Sequence, residues 1–317
     1  MQPVTLVVKT RPLCRRVGAA LYVRMRIHPL ITPALTAVLC LTGCTAPETE
    51  QSPGAAALSA RFTTRTNADA TPPPIPYDAA TPRITLRALA STTHDTAAFT
   101  QGLLLHDGRM YEGTGVAGQS DLRVVDRATG TVRARTPLPA PLFGEGIAVV
   151  GQQLVQLTWQ GGLGIVYDAR TLAPIDSVSY DGEGWGLTSD GSHLYLSDGS
   201  DQIRVIDPNT FSVVRTFKVT EADSAVWMLN ELEWVDGELL ANVYQTDFIA
   251  RIDPVTGHVT GWLDVSALLP AAERDALRLR GGVPNGIAYD SITKRLLLTG
   301  KLWPRLFEVA MPPRARR

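Results

Sequence analysis

Cysteine is missing from almost the whole chain: of 317 residues only Cys14, Cys40 and Cys44 are cysteine, and all three lie within the first 44 positions. The body beyond them therefore has no disulfide, no thiolate nucleophile and no cysteine-based metal site. Acidic residues are absent from the start, since none precedes Glu48, whereas Lys9, Arg11, Arg15, Arg16, Arg24 and Arg26 do. The net charge of −1 thus conceals a basic head followed by a body that holds all 31 acidic residues. Charge is sparse overall at 19%, and 27 glycines and 22 prolines punctuate the chain. That composition excludes a coiled coil, a disordered polymer and a nucleic-acid binder driven by basic charge. No apolar run is long enough to span a bilayer.

The longest such run, Leu35 to Cys44, follows Arg24 and Arg26 and has the length of a signal-peptide core. It ends in Leu41-Thr42-Gly43-Cys44, which resembles the lipobox of bacterial lipoproteins, where the cysteine is lipidated and becomes the new N-terminus. An ordinary cleaved signal is the alternative, and Met25 offers a second start. Residues 45–82, rich in Ala, Pro, Thr and Ser, read as a disordered tether. The expected organisation is a signal peptide with lipobox over 1–44, the tether over 45–82, a folded domain over 83–313 and a basic tail over 314–317. The product would be exported and lipid-anchored, facing the periplasm. Thr45 rather than Asp after the cysteine favours the outer membrane.

From Arg83 onward the chain consists of short Val, Ile, Leu and Thr runs between turn residues, with no long helical period. One phrase recurs, an apolar pair followed by Asp and a turn, at Asp126, Asp168, Asp207 and Asp253, spaced 42, 39 and 46 apart. That is the period of a four-stranded propeller blade, and the Asp side chain suits the turn. A second phrase opens each unit, at Gln101, Glu145, Trp185, Asn230 and Asn285. Five openings predict an all-β, five-bladed propeller. The last unit is one strand short after Phe307, and Ile84–Ala90 is expected to supply it and close the ring.

In a propeller the first strand of each blade lines the channel and the second runs back beside it. The five openings should therefore meet the ends of the second strands, near Glu112, Trp159, Asp198, Tyr244 and Lys301, at one mouth. Carboxylates, amides, aromatics and one ammonium would gather there, as a small-molecule site requires. His106, His193 and His258 fall in turns elsewhere, and His94, just before the first blade, reads as a loop anchor. A Ser-His-Asp triad or a histidine zinc site is thereby disfavoured. Gly182-Glu-Gly-Trp-Gly186 lacks the strand-to-helix context of a phosphate loop.

Phe99-Thr-Gln-Gly102, Tyr111-Glu-Gly-Thr-Gly115, Phe143-Gly-Glu-Gly146, Asn242-Val-Tyr-Gln-Thr-Asp247 and Asn285-Gly-Ile-Ala-Tyr-Asp290 occur in this order. Together they resemble the plant- and bacterial-type glutaminyl-peptide cyclotransferases over essentially the whole folded body, His94 to Val309. The resemblance implies a five-bladed propeller that converts N-terminal glutamine to pyroglutamate with release of ammonia, as a monomer and without a cofactor or metal. It implies Glu145 as the acid/base, with Phe99, Gln101, Phe143, Trp159, Trp185, Asn230, Tyr244 and Lys301 as substrate contacts. Glu112 and Asn285 are possible supports, and Tyr244 stands where the family usually has Trp. The implied partners are peptides and proteins with N-terminal Gln, with no nucleic acid and membrane contact through the Cys44 anchor alone. Two other readings stay open. A gluconolactonase-like hydrolase would bind a divalent cation through Glu112, Glu145, Asn230 and Asn285, and a third possibility is a propeller that binds peptide without turnover.

Overall fold

The short apolar runs form strands, and successive strands pair antiparallel through tight turns into five blades, four of them four-stranded sheets and one a sheet of five, with a separate two-stranded hairpin, Thr220–Glu221 with Ser224–Ala225. The computed structural model describes residue 75 and residues 78–314, all within a unit spanning Thr64–Arg317. The expected signal and lipobox with Cys44, most of the expected tether and residues 315–317 of the tail lie outside the described residues.

Blade one comprises Thr100–His106, Arg109–Thr114, Asp121–Val125 and Val132–Pro137. Blade two comprises Gly144–Val150, Gln153–Thr158, Leu163–Asp168 and Pro174–Ser179. Blade three comprises Leu187–Ser189, Leu194–Ser197, Gln202–Ile206 and Val213–Lys218. Blade four runs Leu229–Val235, Glu238–Val243, Phe248–Ile252 and Val259–Asp264. Blade five takes Pro284–Asp290, Arg295–Gly300 and Arg305–Ala310 from the end of the chain. The first strands of successive blades touch one another around the ring, the fifth against the first included.

Burial follows the radial position of each strand. Pro284–Asp290 is buried at every residue, whereas the outer Val213–Lys218 is largely exposed. The twisted sheets pack face to face, and five apolar clusters fill the seams between them. Leu103, Met110 and Val125 of blade one meet Ala288, Leu297 and Leu306 of blade five in one of these. Each such large apolar side chain contributes about 1.5–3 kcal/mol on burial. The recurrent Asp closes the turn between third and fourth strands. Asp126 Oδ1 accepts the backbone N–H of Ala128 and Thr129 at 3.0 and 2.9 Å, and Asp207 Oδ1 those of Asn209 and Thr210 at 2.7 and 3.2 Å.

The N-terminal run differs from the single strand expected of it. Arg83–Thr85 adds in parallel to Val259–Asp264 of blade four, and only Ala88–Thr93 lies antiparallel on Arg305–Ala310 as the fourth strand of blade five. Between the two, Leu86 is buried in the seam of blades four and five, so the chain crosses from one sheet to the next. A short helix, Ala271–Arg278, precedes blade five. Its Arg278 donates to Asp247 Oδ1 at 2.6 Å and to Gln245 O at 2.9 Å, which fixes the helix against the loop after Tyr244.

Candidate active site

Four of the five opening residues sit where strand register breaks. The inner strands shift against their partners between Thr100 and Gly102, Gly144 and Ile147, Leu229 and Leu232, and Pro284 and Ile287. Gln101, Glu145, Asn230 and Asn285 fall inside those irregularities. An extra residue unpaired from the ladder turns its side chain out of the regular alternation, which is how bulges re-aim side chains at sites. In blade three Trp185 precedes the strand altogether. Its carbonyl accepts the N–H of Gly146 at 2.8 Å, tying it to the residue after Glu145.

The predicted residues join in a closed circuit of contacts. Phe99 meets Phe143 edge-on at 6.3 Å between ring centres, and Phe143 meets Trp159 at 5.7 Å. Trp185 meets Tyr244 edge-on at 5.8 Å. Lys301 closes the circle, its Nζ lying 4.7 Å from the centre of the Phe99 ring and 5.8 Å from that of Tyr244. The gap between the two tryptophans is bridged by Glu183, whose Oε2 accepts Trp159 Nε1 at 2.8 Å and Trp185 Nε1 at 2.9 Å. Glycine makes room for two of these rings. A Cβ on Gly115 would stand 2.4 Å from Phe143, and one on Gly199, whose φ is +80°, would stand 2.7 Å from Trp185.

Inside this wall the polar groups form a chain. Gln101 Nε2 donates to Glu145 Oε1 at 3.1 Å, while Gln101 Oε1 accepts from Asn285 Nδ2 at 3.1 Å and from Lys301 Nζ. All four side chains are buried. Burial pushes the Glu145 carboxyl well above its ordinary range, with the Glu183 charge adding to the shift and Lys301 opposing it. Burial likewise lowers Lys301, to about 8, against the pull of Glu145 and Glu231. The Oδ1 atoms of Asn230 and Asn285 are buried without a protein hydrogen-bond partner, leaving two acceptors open to a bound N–H. Asn230 otherwise meets its neighbours through its backbone, whose carbonyl accepts Ser197 Oγ at 2.6 Å.

Glu112 does not join this group. Its strand continues to Thr114, so the blade-one position equivalent to Trp159, Tyr244 and Lys301, each one residue past its strand, is Gly115. The Glu112 carboxylate instead accepts Thr100 Oγ1 at 2.7 Å and meets His94 Nε2 at 2.9 Å. His94 in turn reaches Trp303 O at 2.7 Å, fastening the first blade to the last. Asp198 is likewise engaged elsewhere, with Ser200 and, at 3.4 Å, Arg204. Glu112, one of the four oxygen ligands that a cation-dependent hydrolase would use, is thus engaged with His94 and Thr100. Among the described residues no group of three or more His, Cys, Asp or Glu is placed to hold a metal ion.

Two further carboxylates enter from blade four. Glu231 accepts the N–H of Leu103 at 3.2 Å and of Ile287 at 2.9 Å, so one side chain ties blade four to blades one and five. Glu233 accepts Tyr289 N–H at 2.7 Å and Thr188 Oγ1 at 3.3 Å, and burial pushes it up to about 8. A carboxyl that holds its proton more firmly folded than unfolded loses stability as pH rises from its unfolded value to its folded one. Glu233→Gln should therefore gain on the wild type between pH 4.5 and about 8, the interval between its ordinary and folded values. The side chain is only half-buried, so we expect a gain of at least ~1 kcal/mol, or about 2–4 °C. Melting curves from pH 4 to 9.5 check it: a difference between the two proteins that does not change with pH would make Glu233 an ordinary carboxylate.

The family described as glutamine cyclotransferase matches residues 55–311. A glutaminyl-peptide cyclotransferase of Arabidopsis thaliana is 39% identical over 231 residues, 71% of each chain. The crystal structure of Myxococcus xanthus glutaminyl cyclase superposes with a TM-score of 0.65 at 35% identity, covering 72% of this chain and 97% of that one.

Proposed function

The chain belongs to the glutamine cyclotransferase family, and from that premise we propose that it converts the N-terminal glutamine of peptides and proteins to pyroglutamate with Glu145 as the proton carrier and no metal. The observation that carries the mechanism is the buried chain Glu145–Gln101–Lys301 inside an aromatic wall. Cyclisation needs no nucleophile from the enzyme, because the α-amine attacks the side-chain carboxamide carbon of the same residue. The protein has only to hold the five-membered-ring geometry and move one proton. As the new C–N bond forms, Glu145 accepts a proton from the α-nitrogen. It returns that proton to the carboxamide nitrogen, the C–N bond to that nitrogen breaks, and ammonia leaves. A carboxyl raised by burial is a stronger base than an ordinary carboxylate, which favours its taking up the α-nitrogen proton before returning it. The oxygen of the tetrahedral intermediate takes a hydrogen bond from Lys301, displacing Gln101 Oε1, or from the Asn230 amide. The aromatic wall keeps out the water that would instead give glutamate.

The test is ammonia release from a Gln-initiated dipeptide by the purified protein, with and without EDTA. Turnover that survives the chelator supports the reading, whereas turnover lost with EDTA and restored by a divalent cation overturns the metal-free mechanism. Tight binding without ammonia release would leave a peptide-binding propeller. On the sequence at Leu41–Thr45 we also propose that the enzyme is exported and lipid-anchored at Cys44 on the outer membrane, periplasm-facing.

A further inference from the structure

The segment Gly182–Gly186, which joins blade two to blade three, is held in a single backbone path. Arg204 donates to the carbonyls of Asp181 and Glu183, the latter at 2.6 Å, and Gly184 N donates to Trp159 O at 3.2 Å. Added Cβ atoms on Gly184 and Gly186 would stand 2.6 Å from Tyr180 Oη and 2.0 Å from Asn230 O. This path delivers one carboxylate to the edges of two indoles that belong to different blades. An indole N–H is a donor with no other role, and here both donors converge on the same oxygen, Oε2, while Oε1 takes Gln160 Nε2 at 3.2 Å. Sharing one acceptor couples the rotations of the two rings.

We propose that Glu183 is a positioning residue for the cyclisation, holding Trp159 and Trp185 together as one rigid side of the glutamine pocket. The proposal rests on the reading of the pocket given above. A second consequence follows from charge. Burial is what mainly pushes Glu145 up, Lys301 is the positive group that opposes it, and Glu183 is the nearby negative group that adds to it. Around this pair stand Glu231, which acts on Lys301, Arg204, which touches Glu183 through its carbonyl, and Asp198 beside Arg204. Removing the charge of Glu183 lets Glu145 persist as a carboxylate to lower pH.

Two variants separate the hydrogen bonds from the charge. Glu183→Gln keeps an oxygen able to accept both indoles and loses the charge, whereas Glu183→Ala loses both. For ammonia release from a Gln-dipeptide, Glu183→Ala should raise KM at least tenfold. Glu183→Gln should keep KM within about threefold while the acid limb of kcat moves to lower pH. A purely structural role would leave that limb in place. Tryptophan emission is read in parallel and does not depend on turnover: Glu183→Ala should shift it to the red and Glu183→Gln should not. Wild-type KM and emission in a Glu183→Ala protein that melts like the wild type would overturn the proposal, as would a Glu183→Gln protein impaired in KM as severely as Glu183→Ala. A wild-type protein that releases no ammonia would refute the activity, and the emission of the two variants would still decide the role of Glu183.

Discussion

Glu145→Gln should lower kcat for a Gln-initiated dipeptide by about 10³-fold, within the 10²–10⁴ range of a positioned acid/base, while KM changes by no more than a few-fold. The substitution is nearly isosteric, and its amide oxygen can still accept Gln101 Nε2, as Glu145 Oε1 does at 3.1 Å. Pocket shape, the aromatic circuit and the Lys301 contact to Gln101 therefore remain, and only the ability to take up and return a proton is lost. Stability should move in the other direction. A buried carboxyl raised far above its ordinary range is costly to ionise at neutral pH. The glutamine variant avoids that cost and should melt at the same temperature or higher at pH 8. Loss of activity with loss of stability would signal a damaged fold, not a missing proton carrier. Retention of more than a tenth of the activity would move the proton carrier elsewhere, with Glu183 the next carboxylate.

The repeat of Asp126, Asp168, Asp207 and Asp253 gave the blade period and the five openings gave the blade count, because an Asp that accepts backbone N–H groups in a turn is a local device with a fixed place in its unit. That the openings and the strand ends gather in one place was legible for a related reason, since topology sets them near one another. Glu112 was misplaced because strand length cannot be counted from an alternating pattern: the strand runs two residues further, to Thr114, and the position just past it is Gly115. Arg83–Thr85 escaped because its partner, Val259–Asp264, is remote in sequence and the parallel pairing leaves no turn to read. Glu183 was hidden by its setting. Between two glycines it looks like part of a flexible loop, and only the fold brings the indole edges of residues 159 and 185 to one oxygen. Glu231 and Glu233 stand just after the opening residue Asn230, yet their carboxylates bind the inner strands of neighbouring blades, a role that depends on contacts far apart in sequence.

Lys301→Met should lower kcat by about 10²-fold, the loss typical of removing one well-placed oxyanion donor, and should also change the pH profile. Lys301 titrates at about 8 in this pocket, lowered by burial between Phe99 and Tyr244. Below that value it is an ammonium that can stabilise the developing oxyanion, and above it a neutral amine that does so poorly. In the wild type kcat/KM should therefore fall as pH rises through about 8. The substrate's own α-amine, near 7.7–8.0, acts on the acid side, where its deprotonation favours attack. The alkaline fall is thus the signature of Lys301 and should vanish from the residual activity of the methionine variant. Its stability has the opposite sign from its catalysis. A lysine whose folded pKa is depressed disfavours the folded state wherever it must be charged, so the fold gains stability as pH rises from about 8 to the ordinary 10.5. Methionine fills similar volume without the charge, and Asn285 Nδ2 still satisfies Gln101 Oε1. Lys301→Met should accordingly melt no lower than the wild type at pH 7, an exchange of activity for stability expected of a group kept charged in a buried site. If the alkaline fall persists in that variant, Lys301 is not its source, and the oxyanion donor to test next is the Nδ2–H of the buried Asn230.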